Sequence, residues 1–80
     1  MNRKIKLIWD FRGPDAHKIA EHHEKHLKEY AMTEELGFHI TGHKEMSETH
    51  SIAYMVVEES IMIQVRDALI PHRGEIYEHP

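Results

Sequence analysis

Residues 38–58, FHITGHKEMSETHSIAYMVVE, decide the fold. HSIAYMVVE (50–58) is rich in β-branched and aromatic residues and reads as a strand. FHITGHKE (38–45) reads as a second strand, with Gly42 as a bulge or close-packing point. MSET between them is small and polar and reads as a turn. A hairpin turning about Ser47 and Glu48 pairs Glu45 with His50, His43 with Ile52, Thr41 with Tyr54 and His39 with Val56. Opposed residues share a face of the sheet. This register places Phe38, Ile40, Gly42, Ala53, Met55 and Val57 on an apolar face. His39, Thr41, His43, Ile52, Tyr54 and Val56 fall on the other.

Outward from the hairpin, RKIKLIWDF (3–11) alternates and predicts a first strand. Ile5, Leu7, Trp9 and Phe11 point one way, and Lys4, Lys6, Ile8 and Asp10 the other. RGPD then opens a helix, with Pro14 suited to its first turn. Residues 15–36 carry helical periodicity, Ala16, Ile19, Ala20, Leu27, Tyr30 and Ala31 forming the stripe and Gly37 the stop. Ser60 is the expected N-cap of a second helix with a stripe of Ile61, Met62, Val65, Ala68 and Leu69, ended by Pro71. RGEIYEH (73–79) predicts a last strand. The order is β-α-β-β-α-β, an α+β class and one domain over residues 1–80.

Composition narrows the function classes. The chain has 80 residues, no cysteine and a net charge of −4 with neutral histidines. Thiolate metal sites and disulfides are excluded, and a nucleic-acid backbone is a poor partner for the charge. No apolar run approaches the ~20 residues that span a membrane. Absence of a leader-like stretch and of cysteine sets a cytoplasmic expectation. Nine histidines make the charge soft: protonating all of them would carry it from −4 to +5.

The pattern resembles the split-βαβ, ferredoxin-like arrangement from end to end. That resemblance implies a four-stranded antiparallel sheet with both helices on one face. The uncovered face then bears Ile8, Ile52, Tyr54 and Val56 beside Asp10, His39, Thr41 and His43. A face so apolar needs a cover. In this the chain resembles the dimeric α+β barrel proteins, in which two such units pack sheet to sheet. The resemblance implies a homodimer, a binding or structural module using Ile8, Thr41, Ile52, Tyr54 and Val56. It also leaves open a small-molecule ligand or a cavity enzyme, with His39 or His43 as general base and Asp10 or Tyr54 orienting substrate.

AEHHEKH (20–26) raises another chemistry. His23 falls on the apolar stripe and reads as a half-buried core residue. His22 and His26 stand one helical turn apart, a spacing that can chelate zinc or another transition metal. His43 and His50 are diagonal neighbours in the expected register and could also share an ion. His72 and Arg73, after Pro71, could meet an anion, as could the Arg12–Gly13 junction. Ile63 and Ile70 are expected on the outward side of the second helix. His17 and His79 carry no local argument.

Overall fold

The computed structural model describes residues 3–78. Strand β1 is Lys4–Arg12, helix α1 Ala16–Thr33, strand β2 His39–Ser47, strand β3 His50–Glu58, helix α2 Glu59–Leu69 and strand β4 Arg73–Ile76. The strands form one antiparallel sheet in the order β2-β3-β1-β4. Both helices lie on one face, an arrangement compatible with the ferredoxin-like fold. Leu7, Trp9, Ala53, Met55 and Val57 of the sheet pack with Leu27 and Ala31 of α1 and Val65 of α2. The Trp9 indole N–H donates to the Leu69 carbonyl at 2.9 Å and ties the end of α2 to the central strand.

The hairpin register differs from the sequence expectation by one residue. Ser47 pairs with His50, but Glu45 pairs with Ser51, so Met46 is an extra, bulged residue. The turn itself is Glu48–Thr49, braced by the Thr49 N–H donating to Ser47 Oγ at 3.3 Å. A one-residue slip moves every side chain of a strand to the other face. His39, Thr41 and His43 therefore oppose Val57, Met55 and Ala53 on the helix-covered face. Ile40, Gly42 and Lys44 join Val56, Tyr54 and Ile52 on the open face.

The open face is also drier than its composition suggests. Ile8, Ile52 and Val56 are 2%, 4% and 0% exposed within a single chain. Long side chains lie across this face. Tyr54 extends over Gly42, where an added Cβ would collide with the phenol oxygen, and the Lys6 ammonium sits 4.4 Å from the Tyr54 ring centre. The apolar residues that called for a second copy are covered without one.

Smaller differences lie at the ends of elements. Helix α1 stops at Thr33, four residues before Gly37, and the left-handed residue after it is Glu35 at φ 52°. Ile19 is 46% exposed, off the buried stripe. Helix α2 begins at Glu59 with Glu58 as its cap. Strand β4 ends at Ile76, so Tyr77 and Glu78 are not part of it, and His79 lies outside the described residues. Ile63 and Ile70 are exposed as expected.

Candidate functional site

The register shift brings β2 histidines to the flank of α1. Residues 17, 21, 24 and 28 recur at helical spacing and share one side of α1. That side carries His17, Glu21, Glu24 and Lys28. It meets β2, an edge strand whose helix-side residues Thr41 and His43 are polar. Two polar rows thus face each other beside the apolar core.

Glu24 is the hub of the contact. Its Oε1 receives the His43 Nδ1 hydrogen bond at 2.6 Å, and its Oε2 accepts from Thr41 Oγ1 at 3.4 Å and lies 3.4 Å from Lys28 Nζ. The Glu24 side chain is only 12% exposed. Burial pushes its carboxyl pKa up, but hydrogen bonds from His43 and Lys28 outweigh that and hold it below the usual range. Glu24 is therefore a carboxylate at neutral pH, and it fixes the His43 tautomer with the proton on Nδ1. The His43 Nε2 lone pair is left for another partner.

His17 and Glu21 stand beside His43. One donor atom from each of His17, Glu21 and His43 lies within 4.8 Å of the other two. The His17 and His43 ring centres are 5.6 Å apart, edge to face. His17 and Glu21 are exposed and His43 half-buried. Two imidazoles and a carboxylate are a donor set suited to zinc and its first-row neighbours. A ligating histidine whose other nitrogen donates to a carboxylate is the usual support for such a set.

The expected sites fare differently. His22 and His26 do meet, with their Nε2 atoms 3.1 Å apart, and His26 Nδ1 lies 3.6 Å from Glu29. No third donor joins that pair in a mutually close set among the described residues. The constellation of His39 or His43 with Asp10 or Tyr54 does not form, because the two histidines are on the opposite face of the sheet from Asp10 and Tyr54. Thr41 leaves the open face for the same reason. His39 bonds locally, its Nδ1 lying 3.0 Å from the Gly37 carbonyl oxygen. His43 and His50 cannot share an ion across the sheet.

Asp10 instead organises the open face. Arg73 donates to both its oxygens, Nε at 2.9 Å and Nη2 at 3.2 Å, and His50 Nε2 lies 2.8 Å from Oδ1. The network runs from β4 across β1 to β3. The Arg73 hydrogen bond is the main reason the Asp10 carboxyl falls to about 2. His23 is half-buried against Trp9 and Phe11, with ring centres 5.1 and 5.4 Å away. Its Nε2 is buried without a partner, and burial, then the neighbouring histidines 26, 72 and 22, push its pKa down.

Sequence reasoning passed over His17, Glu21 and Glu24. The available signal was the 17-21-24-28 row of α1, legible as one polar flank but with no known facing strand until the bulge is placed. Comparison with protein-family models, curated proteins and solved structures finds no match.

Proposed function

We propose that this chain is a small metal-binding domain that holds one divalent first-row ion, zinc foremost, through His17, Glu21 and His43. The observation that carries this reading is the convergence of those three donors within 4.8 Å, beside a His43 ring held by Glu24. Zinc bonds of ~2.0–2.2 Å place neighbouring donors roughly 3.3 Å apart. His17 and Glu21 are exposed, so their side chains can rotate toward that spacing. Three protein ligands leave a fourth position for water or an exogenous ligand. Glu24 serves the site by orienting His43 and raising its basicity, and Thr41 and Lys28 hold Glu24 in turn. Binding needs neutral imidazoles, so affinity falls as the solution is acidified.

Isothermal titration with zinc tests the proposal. The expected result is one ion per chain, lost in His17→Ala and His43→Ala and retained in His22→Ala. Equal affinity in wild type and His43→Ala, or loss confined to His22→Ala, would overturn it.

A further inference from the structure

A second site lies at the other edge of the sheet, far along the strand order from β2. Helix α2 covers β4 incompletely and leaves a cavity of about 430 Å³. Its walls are Ile5, Leu7, Met62 and Ile76. Its floor is Gly74, opposite Leu7 in the β1–β4 pairing. A Cβ there would stand 3.4 Å from Leu7 Cδ2, ordinary contact that β4's backbone tolerates, so the absent side chain is what keeps the floor open. Ile76 is 55% exposed at the wall.

The rim is polar on one side. Arg66 and His72 line it, as do Arg73 and Glu75, whose β4 positions oppose Ile8 and Lys6 on the open face. Arg66 gives its Nε–H to exposed Asp67 at 3.3 Å, and among the described residues its terminal Nη groups have no hydrogen-bond partner. His72 Nδ1 accepts the Asp10 backbone N–H at 2.8 Å. A neutral ring with Nδ1 accepting carries its proton on Nε2, so His72 is a donor there. Thus an apolar slot ends at a guanidinium and an imidazole N–H. Pockets of ~300–1,000 Å³ with apolar walls and a few convergent polar groups are the usual form of small-molecule sites.

We infer that this cavity binds an amphipathic monocarboxylate, its unbranched apolar chain against Ile5, Leu7, Met62 and Ile76 and its carboxylate on Arg66 and His72. The charge balance selects the head group. Arg66 disfavours a cationic head, and one guanidinium with one imidazole N–H matches the two oxygens of a single carboxylate, Arg73 at the same rim being already paired with Asp10. The site shares no residue with the metal donors, so each can fail alone.

Trp9 is the chain's single tryptophan and is bonded to Leu69, three residues before His72 at the rim. Its fluorescence, with amide NMR shifts, can follow titration by sodium butyrate, hexanoate, octanoate and decanoate. Binding is expected to be saturable, to strengthen by about fourfold for each buried methylene, and to shift the Arg66, His72 and Gly74 amides. Decan-1-ol and Arg66→Gln should each weaken it by roughly tenfold or more through loss of a charge-assisted hydrogen bond. Gly74→Val should fill the floor and abolish decanoate binding. Arg66 is exposed, so Arg66→Gln keeps the test open should Gly74→Val fail to fold. Absence of saturable binding, equal affinity for decan-1-ol, or shifts confined to another surface would overturn the inference.

Discussion

Three buried or half-buried polar residues set the chemistry of this molecule, and each makes a separate demand. Glu24 must stay ionised to hold His43, and removing its charge should weaken the metal site without emptying the core. Glu24→Gln is expected to lower zinc affinity by roughly 10- to 100-fold in a chelator-competition assay, with the melting temperature of the metal-free chain changing little. His23 pays a burial cost that grows in acid. Its folded pKa lies below the ordinary 6.5, so the unfolded chain takes up the proton first. Stability then declines as pH falls from about 6.5 toward the lower folded value. His23→Leu should raise the melting temperature at pH 5.5 more than at pH 7.5, and an equal change at both would contradict the assignment. Asp10 acts in a lower window. Its folded value of about 2 against an ordinary 3.8 means that the Arg73 network stabilises above 3.8 and is lost as pH falls through about 2. Acid titration of Asp10→Asn should lack this part of the transition.

At the scale of elements, the β2–β3 hairpin decides which chemistry is possible. The order of elements along the chain, the helix stripes and the apolar face of β1 and β3 are legible in sequence, because period-2 and period-3.6 patterns survive small errors at the ends. The face assignment of β2 is not, since both of its faces mix polar and apolar residues and nothing in the alternation resists a slip. Phe38 and Ile40 suggest a core-facing row, yet Ile40 belongs to the open face and Phe38 is 39% exposed. The Met46 bulge settles the matter and turns His43 from a cavity residue into a partner of α1. Gly42 marks the same register from the other side, because Tyr54 needs the space above it. Gly42→Ala should cost about 1–3 kcal/mol by displacing the Tyr54 ring, and the same change in a Tyr54→Ser background should cost little. Equal costs in both, measured by urea unfolding, would mean that the ring does not lie over Gly42.

At the scale of the whole molecule, a chain of 80 residues has little core to spare. Its open face carries the Lys6–Tyr54 contact and the Asp10–His50–Arg73 network, and Ile8, Ile52 and Val56 are buried. Those three side chains therefore offer little exposed apolar area to an association through that face. Sedimentation velocity at micromolar concentration should give a monomer, whereas a dimer dispersed by Tyr54→Glu would restore the sheet-to-sheet assembly. Among the described residues no helix is long and apolar enough to cross a membrane. What remains is a compact scaffold with polar chemistry concentrated where α1 meets the β2 edge. We propose that His17, Glu21 and His43 hold one ion there. Long-range ¹H–¹⁵N spectra of the histidine rings, recorded before and after one equivalent of zinc, read that binding at the ligand nitrogens. His17 and His43 should move together, with His43 keeping its proton on Nδ1 and changing at Nε2. Movement of His22 and His26, with His17 and His43 unchanged, would contradict it.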